Sequence, residues 1–110
     1  MARKKKKPTL PEHLLEAVAQ RFRTLGVPSR LRILNALMSG PMGMSELEDS
    51  TGLEQSNLSR QVTELEREGC VERRRSGREV EVELVDESLP ELCDLVCGAL
   101  AEKVGTRRAR

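Results

Sequence analysis

Residues 44–84 read "MSELEDSTGLEQSNLSRQVTELEREGCVERRRSGREVEVEL", and the spacing of their apolar residues changes from helical to alternating partway along. In "SNLSRQVTELEREG", Leu58, Val62 and Leu65 recur at steps of three and four, which places them on one helix face, and Gly69 stops the run. Upstream, "MSELEDSTG" predicts a shorter helix, with Ser45 and Glu48 at capping-box spacing and Gly52 at its end. Two short helices joined by a tight turn containing Gly make a helix-turn-helix. Beyond Cys70 the period drops to two. Val80, Val82 and Leu84 alternate with Glu79, Glu81 and Glu83, and Ser76-Gly77 separates them from "CVERRR" as a hairpin turn. The stretch therefore predicts two helices followed by a two-stranded wing with one buried face.

The flanks extend this pattern. "PEHLLEAVAQRFRTLG" predicts a first helix, with Pro11 in its first turn, Leu14, Leu15, Val18, Phe22 and Leu25 on one face, and Gly26 at its end. "PSRLRILNALMSG" predicts a second, with Ser29 near its N-cap and Leu31, Ile33, Leu34, Leu37 and Met38 as its apolar face. "GPMG" reads as a break. "DESLPELCDLVCGALAEKV" closes the chain with a last helix. The expected fold is mainly α with a small β-hairpin, a winged helix-turn-helix in the order α-α-α-α-β-β-α. The expected limits are a disordered basic arm at 1–9, one DNA-binding and dimerisation domain at 10–104, and a basic tail at 105–110.

A chain of 110 residues has room for one compact domain. Phe22 is its one aromatic residue, so the core rests on aliphatic residues, Met and Cys. Such a small core is marginal alone, and burial against a second copy is expected. No apolar run reaches the roughly 18 residues a membrane helix needs. The start "MARKKKKP" lacks the apolar core of a signal peptide. A cytoplasmic location without membrane contact is expected, with the three cysteines as reduced thiols. The net charge of +1 conceals an uneven distribution. Residues 3–7 carry five positive charges and residues 107–110 three, leaving a body with 11 basic against 18 acidic residues. Basic ends and the cluster "ERRRSGRE" on an acidic body point to a polyanion met on one face.

A helix in the major groove needs short polar side chains for base edges and longer ones for phosphates. Gln55, Ser56, Asn57, Ser59, Arg60 and Gln61 meet that need at the start of the second helix of the motif. Gln and Asn pair with adenine edges, and Arg with guanine. Arg73, Arg74, Arg75 and Arg78 flank the wing turn, placed for phosphates or the minor groove. Arg30 and Arg32 straddle Leu31, placed for a phosphate or a surface ion pair. No Gly-rich phosphate loop, His-carboxylate cluster or nucleophile setting is present, so no enzyme is expected. The alternative is a winged-helix protein–protein interaction module without effector sensing.

Together these pieces resemble the ArsR/SmtB winged-helix repressors over roughly residues 10–104. The family's Pro-Ser/Thr-Arg-Leu-x-Ile-Leu segment is matched by Pro28, Ser29, Arg30, Leu31, Arg32, Ile33 and Leu34. Its recognition helix and wing entry are matched by residues 54–65 and by Gly69, Cys70 and Val71. The resemblance implies a symmetric dimer joined by the first and last helices, with Leu14, Val18, Leu89, Leu92, Val96 and Leu100 at the interface. It implies repression at an imperfect palindrome on double-stranded DNA, with release by a metal ion or a thiol-reactive species in many members. The chain also departs from the family. Gly43 and Ser45 stand where soft-metal sensors carry a Cys-x-Cys pair, the last helix has no His, and Gln61 replaces a frequent His.

No cofactor is required by this reading, and no metal site is assigned. Cys93 and Cys97 sit one helical turn apart inside the apolar stripe of Leu89, Leu92, Val96, Leu100 and Val104. As small hydrophobes they fit a buried interface. As a thiol pair they offer two ligands to a soft metal or metalloid, or a target for a persulfide effector. An intrahelical disulfide is disfavoured. Helical Cβ atoms one turn apart are about 5–6 Å apart, and a disulfide needs roughly 3.5–4.5 Å. Cys70 falls where the family usually has Leu, which predicts a core residue.

Overall fold

A computed structural model describes residues 9–103. The order is α1 (Glu12–Leu25), α2 (Pro28–Leu37), β1 (Met42–Gly43), α3 (Met44–Thr51), α4 (Gln55–Arg67), β2 (Val71–Ser76), β3 (Glu79–Leu84) and α5 (Ser88–Lys103). Residues 1–8 of the expected arm, the tail at 105–110 and Val104 of the apolar stripe lie outside the described residues.

The core forms where the predicted faces meet. Leu58, Val62 and Leu65 of α4 are fully buried against Ile33, Leu34 and Leu37 of α2, Leu47 of α3 and Val82 of β3. Truncating one such leucine to Ala costs about 2–5 kcal/mol. Gly69 ends α4 in the left-handed region, at φ 79°. Its N–H donates to the Glu66 carbonyl at 3.0 Å, and the Cys70 N–H donates to the Leu65 carbonyl at 2.9 Å. This is a Schellman closure, whose apolar contact joins the residue after the glycine to the last turn. Cys70 and Leu65 are both fully buried there, so Cys70 is a core residue.

Several local features differ from the expectation. Ser29 does not cap α2: Val27 holds the N-cap position, and Pro28 fills the first turn with its fixed φ. Ser45 and Glu48 do not form the capping box of α3. Gly43 is the N-cap, and Glu46 Oε1 accepts its N–H at 3.1 Å; a glycine has no side chain to return the bond. "GPMG" contains a strand as well as a break. Met42 and Gly43 pair antiparallel with Val82 and Glu81, making a three-stranded sheet in the order β1-β3-β2. The wing loop is Gly77-Arg78, because Ser76 pairs with Glu79. Gly77 has φ 68°, as the first central position of a type II′ turn requires. Val80, nearest the tip, is exposed, and only Val82 of the alternating set is fully buried.

Arg21 joins three elements. It forms an ion pair with Asp86 ahead of α5, and its Nη2 donates to the Glu68 carbonyl at the end of α4 at 2.7 Å. Asp86 Oδ1 in turn accepts from the Ser88 N–H at 3.0 Å and from its hydroxyl at 2.7 Å. The Ser88 hydrogen bonds, and then Arg21, hold the Asp86 carboxyl below the usual carboxylate range against a smaller opposing effect of burial.

α1 and α5 are left with uncovered apolar faces. α1 buries only Thr24 and Leu25, and α5 only Leu89. Phe22 (55% exposed), Leu95 (72%), Val96 (47%) and Leu100 (53%) face outward. Leu89 corrects one expectation. The resemblance places it at a dimer interface, but it is 1% exposed and belongs to the subunit's own core, because it opens α5 where that helix lies on the body. Leu95 is the most exposed of the large apolar residues yet falls outside the expected interface set.

Candidate nucleic-acid interface

Burial of Leu58, Val62 and Leu65 turns the opposite side of α4 outward. Gln55, Ser56 and Arg60 are exposed there, while Asn57, Ser59 and Gln61 are half-buried. The six expected reading residues therefore divide into a free group and a supported group. Arg30 of α2 provides the support. Its Nε donates to Gln61 Oε1 at 2.9 Å and its Nη1 to the Thr24 carbonyl of α1 at 3.2 Å. Gln61 Nε2 then donates to Asn57 Oδ1 at 3.1 Å, and Arg60 Nη2 reaches the same oxygen at 3.4 Å. Among the described residues Arg30 has no acidic partner, and its two bonds go to neutral acceptors within the subunit. Arg32 is exposed.

The four wing arginines also divide. Arg73 is drawn back onto α4, with Nη1 on Glu66 Oε1 at 2.7 Å and Nη2 on the Ser59 carbonyl at 3.4 Å and Thr63 Oγ1 at 3.3 Å. Its own N–H donates to Glu66 Oε2 at 3.3 Å. Arg74 pairs across the wing with Glu83 at 3.1 Å. Arg75 and Arg78, at the tip, are exposed, and among the described residues neither has an acidic partner within ion-pair distance. Among the described residues of α2, α4 and the wing, the exposed cations without an acidic partner are Arg32, Arg60, Arg75 and Arg78, and Arg60 is engaged only by the neutral Asn57 amide.

The cysteines lie away from this surface. Cys93 lines an apolar groove of about 210 Å³ with Phe22, Leu25, Leu31, Leu92 and Val96. Burial, then Asp94 and Cys97, push its thiol pKa up, which disfavours the thiolate at neutral pH. Cys97 is exposed. Among the described residues, no group of three or more His, Cys, Asp or Glu side chains is placed to hold a metal ion. No helix among them is long and apolar enough to cross a membrane.

Comparison with known proteins agrees with this geometry. Rv0081 of Mycobacterium tuberculosis, described as an uncharacterized HTH-type transcriptional regulator, is 38% identical over 97 residues, 87% of this chain and 81% of that protein. Its crystal structure superposes with a TM-score of 0.76, covering 88% of this chain and 98% of that one. The NMR structure of Mb0332 from Mycobacterium bovis is a homodimeric winged helix-turn-helix domain described as a possible ArsR-family regulator. It matches with a TM-score of 0.74 at 28% identity, over 84% of this chain and 85% of that one. The chain belongs to the ArsR/SmtB family of winged helix-turn-helix transcriptional regulators. NmtR of M. tuberculosis, another HTH-type regulator, is 38% identical over 70% of this chain, though the match spans only 64% of NmtR. The transcriptional repressor BigR from Xylella fastidiosa has a TM-score of 0.74 at 30% identity, over 80% of this chain and 90% of that one. The MarR family model also matches, over residues 27–79. That span runs from the start of α2 to the wing turn and omits α1 and α5 altogether. It therefore covers the helix-turn-helix and the first wing strand, and the fuller matches decide the family.

Proposed function

We propose that this ArsR/SmtB-family regulator acts as a homodimeric repressor that binds an inverted repeat on double-stranded DNA. One observation carries the reading. A single subunit presents the exposed start of α4 and the free tip arginines Arg75 and Arg78, together with uncovered apolar faces on α1 and α5. The α4 face supplies base-edge contacts and the tip supplies phosphate contacts. The apolar faces supply a two-fold contact that repeats the reading head, so the operator mirrors the protein's symmetry. The homodimeric Mb0332 and the repressor BigR support the same assembly and direction of control. The test is binding to DNA upstream of the protein's own gene between about 50 and 200 mM salt. Affinity falls steeply with salt if phosphates are neutralised. A flat response contradicts the reading and favours a protein–protein module.

Exposure of Cys97 beside the Cys93 groove favours a second element, an effector directed at these thiols. A soft metal, metalloid or persulfide donor attached there would alter the α5 face and so the spacing of the two reading heads. Operator binding in the presence of As(III), Cu(I), Zn(II) or a persulfide donor tests this. Release in the wild type but not in a Cys93→Ser, Cys97→Ser variant supports it, and equal release in both rejects it.

A further inference from the structure

We propose that Asn57 reads its base pair as a hydrogen-bond donor only, with a polarity fixed by Arg30 through Gln61, so that the operator carries guanine where Asn57 meets it. The inference rests on the operator-binding reading above and adds the base class that one residue selects.

Arg30 sets the polarity. A guanidinium only donates, so the Gln61 amide must turn its oxygen toward Arg30 Nε, 2.9 Å away. Gln61 Nε2 is then the end that faces Asn57, and it too only donates. Asn57 must therefore turn Oδ1 toward it, at 3.1 Å. Arg60 Nη2 approaches the same Oδ1 at 3.4 Å, a second donor-only group that demands the same orientation. Reversing Gln61 would set donor against donor at Arg30. Reversing Asn57 would set its NH₂ against Gln61 Nε2 and Arg60 Nη2 together. The two arginines at opposite ends of the chain of bonds thus impose one polarity on both amides. Arg30 is itself held by the Thr24 carbonyl at the end of α1, at 3.2 Å.

The consequence is chemical. Asn57 Oδ1 already accepts from Gln61 Nε2 and, in a longer contact at 3.4 Å, from Arg60 Nη2, which leaves Nδ2, with two hydrogens, as the group for DNA. The usual pairing of Asn with adenine needs the amide oxygen to accept from adenine N6 while Nδ2 donates to N7. That oxygen is taken. Cytosine offers only a donor, its N4 amine. Thymine O4 and adenine N7 each offer a single acceptor, whereas guanine presents two adjacent acceptors, N7 and O6, to a group that only donates. Asn57 is the third residue of α4, in the segment of a recognition helix that meets base edges. Asn57 is the specificity-determining residue here, and Gln61 and Arg30 are positioning residues.

Selection of bound sequences from a random duplex pool tests this, using the full chain and its Asn57→Ala and Gln61→Glu variants. Asn57→Ala loses the preference at one base pair of each half-site, where the wild type prefers guanine by about tenfold. Gln61→Glu keeps an acceptor for Arg30 but offers no donor to Asn57. The Asn57 amide then turns over, donates Nδ2 to the introduced carboxylate and frees Oδ1, while exposed Arg60 swings away. Preference at that same base pair shifts from guanine to adenine or cytosine, a change that general repulsion of DNA by an added negative charge does not produce. Placing 7-deazaguanine there weakens wild-type binding and leaves Asn57→Ala binding unchanged. A wild-type preference for adenine, cytosine or thymine there overturns the proposal. So does an Asn57→Ala variant that weakens all duplexes alike, or a Gln61→Glu variant that keeps guanine. If the wild type enriches no sequence, the operator-binding reading itself fails and takes this inference with it.

Discussion

Replacing Arg73 with Ala removes a side chain that ties the first wing strand to the recognition helix. Its principal bond is the ion pair with Glu66 at 2.7 Å, with the two side chains 28% and 37% exposed. Solvent screening at that exposure limits the pair to roughly 0.5–1 kcal/mol. The bonds to the Ser59 carbonyl and Thr63 Oγ1, at 3.4 and 3.3 Å, are long and add a few tenths of a kcal/mol each, on the order of half an ordinary bond. The expected loss is about 1–1.5 kcal/mol, read as a lower urea midpoint in far-ultraviolet circular dichroism. Arg75→Ala is the control. Stability there stays within about 0.5 kcal/mol. The plot of log affinity against log salt concentration becomes shallower by about 1.8, one phosphate contact from each of two subunits. Arg73→Ala weakens operator binding through the wing's position and leaves that slope unchanged. An unchanged urea midpoint with a slope reduced by about 1.8 would refute the reasoning, because Arg73 would then be a phosphate ligand.

Three further outcomes follow from other parts of the fold. Asp86 has a lowered pKa in the folded state, so its contribution is present above the unfolded value of about 3.9 and is lost as pH falls through the folded value. Asp86→Ala therefore costs about 1 kcal/mol at pH 7, and the gap between its urea midpoint and that of the wild type narrows as pH falls below roughly 4; a gap that widens on acidification contradicts this. Val96→Glu with Leu100→Glu places charges on the uncovered α5 face. Each loss counts twice across a two-fold axis, so the dimer weakens by about 3 kcal/mol or more, over roughly 100-fold in Kd. Sedimentation velocity should show a monomer, and an unchanged dimer would place the interface elsewhere. With iodoacetamide at about pH 7.5, mass spectrometry should find Cys97 labelled first, then Cys93, with buried Cys70 last. Raising the pH should speed Cys93 labelling, whereas labelling of Cys93 ahead of Cys97 near neutral pH would count against its raised pKa.

The parts of this fold that repeat along the chain are readable from the residues. The helical recurrence of Leu58, Val62 and Leu65 places α4, the alternation through Val82 places β3, and Gly52 and Gly69 mark helix ends with φ of 75° and 79°. β1 leaves no such trace, because two residues carry no period and its pairing with Val82 is a tertiary event. The four wing arginines look alike in a charge count. What separates them is the strand register and the approach of α4, which brings Glu66 to Arg73 and Glu83 to Arg74 and leaves the tip free. In the sequence Arg30 is only a surface cation, although it sits among core residues of α2. Its meeting with Gln61, 31 residues later, depends on how α2 packs on α4. The family's frequent His at that position, replaced here by Gln61, is the one available signal that the position is supported from behind. Spacing alone puts Leu89 in the α5 stripe, and spacing does not tell which end of α5 rests on the body.

The most direct measurement is a hydroxyl-radical footprint of the protein on the DNA upstream of its own gene. Dimeric operator reading predicts protected blocks related by a dyad, with half-site centres about 10–10.5 base pairs apart or a multiple of that. A single unpaired block, or no protection by folded protein at low salt, would contradict it.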